Sequence, residues 1–113
     1  MKRLFVQIRK FSQVLDQLIA QNKLSQTDYE EFEKRLLDNP EEGDVVEGTG
    51  GLRKTRLKST SKGKSGGFRV CYVDIPEKEK IFLIVIFGKN VQENLSQEEK
   101  KLFKALIERL KKE

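Results

Sequence analysis

The hydrophobic positions in the first half of the chain change from a strand-like run to helical spacing. Residues 2–8 are rich in Phe, Val, Ile and Leu, which favours a short N-terminal strand. Beyond them, apolar residues recur at the spacing of a helix, at Phe11, Val14, Leu15, Leu18 and Ile19. A second helix is predicted to start at Ser25, a capping residue with Asp28 three positions on. It ends before Pro40, because the residue preceding a proline avoids the helical region.

The next part of the chain consists of strand-like segments separated by turns. Val45 and Val46 predict a very short strand. Residues 52–58 and 68–75 predict a hairpin whose two strands are joined by a connection rich in Ser, Gly and Lys. The unbroken apolar run of residues 81–87 is typical of a central strand that is buried on both faces.

The C-terminal segment predicts a helix and completes the fold class. Ser96, with Glu99 three positions on, indicates a capped helix start. The apolar stripe of this helix is Leu102, Phe103, Leu106, Ile107 and Leu110. We predict an α+β fold with an N-terminal strand, two helices, and a mainly antiparallel sheet, about four to five strands in all, on which the C-terminal helix packs. Residues 1–113 are expected to form a single domain, because a chain of 113 residues supports one core.

The turn that contains Pro76 predicts the pairing of the last two strands. If Ile75 pairs with Lys80 across this turn, Arg69 lies opposite Ile86. Side chains alternate between the faces of a strand, so a slip of one residue would move each of them to the other face.

Composition excludes several kinds of catalytic centre. The chain contains no His and a single Cys, Cys71. This removes imidazole bases, Ser/His and Cys/His nucleophile systems, most zinc sites and any internal disulfide. A lone thiol fits a reducing compartment, and the longest apolar run is far short of the ~20 residues that span a bilayer. We therefore expect a cytoplasmic protein without a membrane span.

Charge is sorted by sign along the chain. The sequence carries 23 basic and 18 acidic residues, for a net charge of +5. Residues 48–73 contain seven basic residues and no acid, whereas residues 28–47 contain nine acids against Lys34 and Arg35. Blocks of one sign indicate a focused field that is aimed at a charged partner. The basic block predicts a polyanion as that partner.

The basic block places several cations on one face of the predicted hairpin. Alternate residues of a strand share a face, so Lys54, Arg56 and Lys58 project together while Arg53 points the other way. If Lys58 pairs with Gly67 across the connection of the hairpin, Arg56 falls opposite Arg69 on the same face. Like charges directly opposite each other destabilise a sheet, which a bound polyanion would offset. A solvated edge that discourages sheet-to-sheet aggregation is the alternative, but it leaves the absence of acids unexplained.

Three segments of the chain resemble one toxin family. They read GTGGLRK at residues 48–54, GGFRV at 66–70 and FGKN at 87–90. Together with the order of strand, two helices, strands and final helix, they are similar to the HigB-like branch of the RelE/ParE toxin superfamily. The resemblance implies the toxin of a type II toxin–antitoxin system, a ribosome-dependent mRNA endonuclease that blocks translation. It also implies neutralisation by a cognate antitoxin that contains a helix-turn-helix.

The resemblance implies catalytic roles for four cations: Lys54, Arg56, Arg69 and Lys89. The surrounding surface supplies candidate RNA- or ribosome-binding residues: Arg53, Lys58, Lys62, Lys64 and Asn90. In RNases of this kind the attacking group is the substrate's own 2′-hydroxyl. Lys and Arg can then align the phosphate and stabilise its charge without His, metal ion or cofactor.

Two other functions are compatible with the same features. A ParE-like inhibitor of DNA gyrase shares the fold and needs a binding surface but no catalytic cations. A non-catalytic RNA-binding module would bind its target without cleaving it. The row of cations favours the RNase, for which we expect the antitoxin, the ribosome and mRNA as partners, and no membrane.

Overall fold

The computed structural model describes residues 2–60, 67–88 and 95–113 of the chain. Within these residues, three helices accompany a five-stranded sheet, which confirms the predicted α+β class. The helices are α1 (Arg9–Ala20), α2 (Gln26–Asp38) and α3 (Gln97–Lys112). The strands are β1 (Leu4–Gln7), β2 (Asp44–Val45), β3 (Arg53–Leu57), β4 (Phe68–Ile75) and β5 (Lys80–Gly88). No helix in the described part of the chain is long and apolar enough to cross a membrane.

The sheet is mixed and has the order β1-β5-β4-β3-β2. β1 runs parallel to β5, and all other neighbouring strands pair antiparallel. The apolar run that predicted a central strand forms β5, an interior strand between β1 and β4, while β4 occupies the centre. β5 requires an interior position because its side chains are buried on both faces of the sheet.

A bulge in β5 shifts the predicted pairing of β4 and β5 by one residue. Next to the turn, Ile75 pairs with Lys80, as predicted. Farther along, Arg69 pairs with Phe87, so the prediction that it lies opposite Ile86 is wrong. The shift arises because the register skips Ile84, which has no opposing residue in β4. Arg69 therefore shares its face with the side chains that pack beneath α3, since Phe87 packs there.

Two apolar cores cover the two faces of the sheet. The first lies against α1 and α2, and its most buried large side chains are Phe11, Phe32, Leu36, Tyr72 and Leu83. The second lies against α3 and contains Cys71, Val73, Ile75, Ile84 and Ile107. Consecutive residues of β4 enter opposite cores because side chains alternate along a strand. Changing the register of β4 would therefore disrupt both cores.

The predicted capping boxes open α2 and α3. The Ser25 hydroxyl accepts the backbone N–H of Asp28 at 3.0 Å, and the Asp28 carboxylate accepts the backbone N–H of Ser25 at 3.5 Å. Ser96 and Glu99 form the same motif in α3. The apolar stripe of α3 is confirmed except at Leu102, whose side chain is 71% exposed. Leu102 lies on the edge of the stripe that turns towards solvent, while the other four residues pack in or against the second core.

Asp28 also ties the start of α2 to the end of the β3 segment. Its carboxylate accepts the backbone N–H of Thr60 at 3.0 Å and the Thr60 hydroxyl at 2.9 Å. Burial acts to raise the pKa of Asp28, but the bonds from Thr60 and Ser25 outweigh it and lower the pKa below its ordinary value. A carboxyl group whose pKa is lower in the folded chain stabilises the fold above its unfolded-state pKa of about 4. This stabilisation is lost as the pH falls through the folded-state pKa.

Replacing Asp28 by Asn is expected to lower the free energy of unfolding at pH 7 by about 1 kcal/mol, because charge-assisted bonds at a helix start are weakened. Urea denaturation of both proteins at pH 7 and at pH 3 measures the effect. The difference should shrink at the lower pH, where the wild-type carboxylate takes up its proton. Asp16→Asn, at an exposed position of α1, is the control and should change stability by less than about 0.5 kcal/mol. An equal loss for Asp28→Asn at both pH values would contradict the prediction.

Candidate active site

An open cleft of about 930 Å³ lies beside β3, at the end of the hairpin near Gly67. Its volume falls within the range of small-molecule sites, which is about 300–1,000 Å³. The lining residues are Arg35, Glu42, Asp44, Lys54, Thr55, Arg56, Lys58, Ser59, Gly67 and Arg69. Half of these are cationic and only two are acidic, so the cleft is suited to an anionic ligand.

Strand pairing brings the cations of the cleft together. The prediction that Arg56 lies opposite Arg69 is confirmed by the register of β3 and β4. Lys54 precedes Arg56 by two residues and shares its face, with Asp44 of β2 as its cross-strand neighbour. Cys71, opposite Lys54, belongs to the core beneath α3. The row of cations thus lies on the face of the sheet that packs against α3. Arg56, which is nearer the end of β3, is exposed.

One guanidinium nitrogen of Arg69 is shielded from solvent and lacks an acceptor among the residues that the structure describes. Its Nη1 atom is buried and has no hydrogen-bond partner within the described residues. The residue directly opposite is Arg56, a second cation. An unsatisfied buried donor costs about 1–3 kcal/mol, and like charges across a sheet add to that cost. Arg56 and Arg69 both line the cleft, so a phosphate group bound there would offset the repulsion between the two guanidinium groups.

A further cation of the cleft, Arg35, comes from α2 and was missed by the sequence analysis. Its Nε atom donates to the two carboxylate oxygens of Glu42 at 2.8 and 2.9 Å, and its Nη2 atom donates to the backbone carbonyl of Arg56. The Thr55 hydroxyl donates to the same carboxylate at 2.7 Å. Burial acts to raise the pKa of Glu42, but the bonds from Arg35 and Thr55 lower it below its ordinary value. Glu42 is therefore an anion at neutral pH, paired with Arg35.

The remaining predicted site residues fall into three groups. Lys58 lines the cleft. Arg53 points to the other face, as strand alternation predicts, and its Nη1 atom donates to the backbone carbonyls of Glu41 and Gly43 at 3.1 and 2.7 Å. Arg53 thus braces the chain before β2 and does not line the cleft. Four predicted residues lie outside the described part of the chain: Lys62, Lys64, Lys89 and Asn90.

Two reactive side chains near the cleft are buried in the cores. Burial raises the pKa of the Cys71 thiol to about 11, which keeps it protonated and unreactive. The Tyr72 hydroxyl donates to the Pro40 carbonyl at 2.8 Å and accepts the Gly43 N–H at 2.9 Å. Burial also raises the pKa of Tyr72. Within the described residues, no three Cys, Asp or Glu side chains are grouped so as to hold a metal ion.

Comparison with known proteins places the chain in a family. The family model described as the RelE toxin of the RelE/RelB toxin–antitoxin system matches residues 3–113. The chain belongs to the RelE toxin family. The fold of this RelE-family toxin is similar to that of the E. coli toxin RelE, solved in the free state as a variant with two arginines replaced by alanine. The two chains are 22% identical, the match covers 81% of this chain and 88% of that one, and the TM-score is 0.53.

Membership of the RelE family defines the biological setting of the protein. It is the toxin of a type II toxin–antitoxin system, and the family implies an antitoxin as its partner. The resemblance noted in the sequence is thereby confirmed at the level of the RelE family. The predicted fold is confirmed as well, since the RelE structure has a similar arrangement over most of its length.

Proposed function

We propose that this RelE-family toxin is an endonuclease that cuts ribosome-bound mRNA and thereby blocks translation. The observation that carries the proposal is the pairing of Arg56 with Arg69 directly across the hairpin, in an open cleft where half of the lining residues are cationic. A guanidinium group can bond two oxygens of one phosphate in a fixed geometry. Arg56 and Arg69 would therefore clamp a phosphodiester from two neighbouring strands.

The proposed reaction is an attack by the 2′-hydroxyl of the RNA on the adjacent phosphorus. The O2′–P bond forms and the P–O5′ bond breaks, which yields a 2′,3′-cyclic phosphate and a 5′-hydroxyl. Arg56 and Arg69 stabilise the negative charge of the phosphorane. Lys54 serves in proton transfer, taking the proton of the 2′-hydroxyl or supplying one to O5′, and Lys89 is the second candidate for these steps. The reaction proposed here needs no metal ion, because the nucleophile comes from the substrate and the charge stabilisation from the cations.

Contacts to RNA or the ribosome outside the reacting phosphate are proposed for a wider set of basic and polar residues. Lys58 carries this role most directly, since it lines the cleft beside the proposed phosphate site. The same role is proposed for Arg53, Lys62, Lys64 and Asn90. Contacts to the sugar-phosphate backbone orient a nucleic acid without reading its sequence.

We further propose that the toxin belongs to the HigB-like branch of the superfamily, on the basis of the GTGGLRK, GGFRV and FGKN segments. Its antitoxin would then contain a helix-turn-helix and would neutralise the toxin by covering the basic cleft or by preventing entry into the ribosome. The ribosome and mRNA are the other proposed partners. Since these are cytoplasmic, we propose that the toxin acts in the cytoplasm.

Induction of the toxin in bacterial cells is expected to cut an mRNA only while it is translated. Primer extension on two copies of one reporter transcript, with and without a functional start codon, maps the 5′ ends that the toxin creates. New ends should appear within the coding region of the translated copy, because the ribosome presents the message to the cleft. Equal cutting of both copies would contradict the requirement for the ribosome.

The same induction separates the alternative functions. Loss of DNA gyrase supercoiling activity, with the reporter transcript intact, would identify a gyrase inhibitor. RNA that co-purifies with the toxin but carries no new 5′ ends would identify a non-catalytic RNA-binding module. Either result would contradict the proposed endonuclease.

A further inference from the structure

The outer edge of β3 is paired along only part of its length. β2 is two residues long and pairs only with the first two residues of β3. The remainder of β3, residues 55–57, continues past the end of β2, and its residues Thr55 and Arg56 line the cleft. An unpaired strand edge exposes its backbone groups and is free to shift unless other groups hold it. This edge carries Arg56, one of the two proposed phosphate ligands.

Arg35 and Glu42, here called the edge pair, hold this part of β3 in the place of a neighbouring strand. Arg35 donates from Nη2 to the backbone carbonyl of Arg56, and Glu42 accepts the hydroxyl of Thr55 at 2.7 Å. The two members are joined to each other by contacts of 2.8 and 2.9 Å. The edge pair therefore bonds consecutive residues of β3 at the position from which the Arg56 side chain leaves the strand.

Arg35 is itself fixed by the helix that carries it. Its guanidinium group lies 5.5 Å from the centroid of the Phe32 ring, and Phe32 is only 1% exposed. The contact with the buried ring, the bonds from Nε to the Glu42 carboxylate and the bond from Nη2 to the Arg56 carbonyl together restrict the planar guanidinium group to one orientation. Its charge is matched by Glu42, in contrast to Arg69, whose Nη1 has no partner within the described residues. Arg35 is thus arranged to hold a neighbouring group and not to bind phosphate.

We infer that Arg35 is a positioning residue for Arg56, an inference that rests on the proposed endonuclease function. By bonding the Arg56 carbonyl, Arg35 sets the direction in which the Arg56 side chain extends towards the phosphate site opposite Arg69. A phosphate held between two guanidinium groups requires both at fixed positions. A displacement of about 1 Å at a reacting centre can cost roughly 10²-fold in rate. Arg35 acts through Arg56 and touches neither the substrate nor the reacting atoms.

A double-mutant cycle on the rate of mRNA cleavage by the toxin on translating ribosomes tests this inference. Arg35→Gln is expected to lower kcat about tenfold and to leave KM nearly unchanged, because transition-state contacts are weakened more than RNA binding. In the Arg56→Ala background the same substitution should cause no further loss, since the residue that Arg35 positions is absent. Arg35→Lys should behave like Arg35→Gln, because an ammonium group keeps the charge but lacks the fork that bonds Glu42 and Arg56 together.

Lys34→Gln is the matched control. It removes the same charge from an exposed neighbouring position of α2 and should leave cleavage unchanged, while thermal unfolding of every variant detects any loss of folded protein. Losses that multiply in the double variant would overturn the inference, because Arg35 would then act independently of Arg56. Full activity of Arg35→Lys would overturn it too, since charge alone would suffice. A wild-type toxin that leaves mRNA intact would overturn the endonuclease proposal, and this role with it, before any variant is compared.

Discussion

Arg69→Ala is expected to slow cleavage of ribosome-bound mRNA by about 10²- to 10³-fold, the loss that follows removal of one donor to a transition-state oxyanion. The reason is the arrangement of its guanidinium group, whose buried Nη1 has no acceptor within the described residues and whose cross-strand neighbour is Arg56. A phosphate bound in the cleft, which both arginines line, would offset the repulsion between the two guanidinium groups. Single-turnover cleavage of a reporter message on purified ribosomes measures the loss.

The stability of the same variant separates a catalytic role from a structural one. Arg69→Ala removes one of two like charges that face each other across the hairpin, so its melting temperature should equal or exceed that of the wild type. Arg9→Ala, at an exposed position of α1, is the control and should alter neither property. Cleavage by Arg69→Ala at the wild-type rate would contradict the assignment of Arg69. Slow cleavage together with a large drop in melting temperature would indicate a structural role.

Tyr72→Phe is expected to lower the free energy of unfolding by about 2–6 kcal/mol, because it leaves two buried backbone groups without a partner. The Tyr72 hydroxyl bonds the Gly43 N–H and the Pro40 carbonyl, and the ring is fully buried. Each backbone group left unsatisfied costs about 1–3 kcal/mol. Urea denaturation measures the loss. The substitution frees residues 40–43, which include Glu42. Because Glu42 accepts the hydroxyl of Thr55 in β3, we also expect β3 to be held less firmly and cleavage to be slower.

Tyr29→Phe is the matched control for this substitution. Tyr29 is also buried, at 4% exposure, but within the described residues its hydroxyl interacts with the side chains of Gln7 and Glu33 and not with loop backbone. Gln7 can turn towards another partner, as its carbonyl already accepts the Ser12 hydroxyl. Loss of the Tyr29 hydroxyl should lower the free energy of unfolding by about 1 kcal/mol. Equal losses for the two variants would show that the Tyr72 hydroxyl has no special role in holding residues 40–43.

Most of the fold could be predicted because it is encoded in local signals. The capping boxes at Ser25 and Ser96 mark the starts of α2 and α3, and Pro40 marks the end of α2. The predicted strand of residues 68–75 coincides with β4. The bulge at Ile84 could not be predicted, because residues 81–87 are all apolar and no polar residue in this run reveals which face of the sheet it occupies.

The candidate site could be predicted only where it lies on the hairpin. The convergence of Lys54, Arg56 and Arg69 follows from strand alternation and from the hairpin register, both of which are properties of neighbouring segments. Arg35 and Glu42 were not predicted as site residues, because both lie in residues 28–47, a segment with an excess of acidic residues. Their place in the cleft depends on how α2 packs beside the edge of β3, a tertiary contact with no local signature.

The pairing of Arg56 with Arg69 also constrains how this protein can evolve. Selection for stability or yield alone favours substitutions that separate the two like charges or satisfy the buried donor of Arg69. Such substitutions would abolish the proposed phosphate site while improving the free protein. Maintenance of the pair therefore requires continued selection on toxicity, and lineages released from that selection should lose one of the two arginines before they lose the residues of either core.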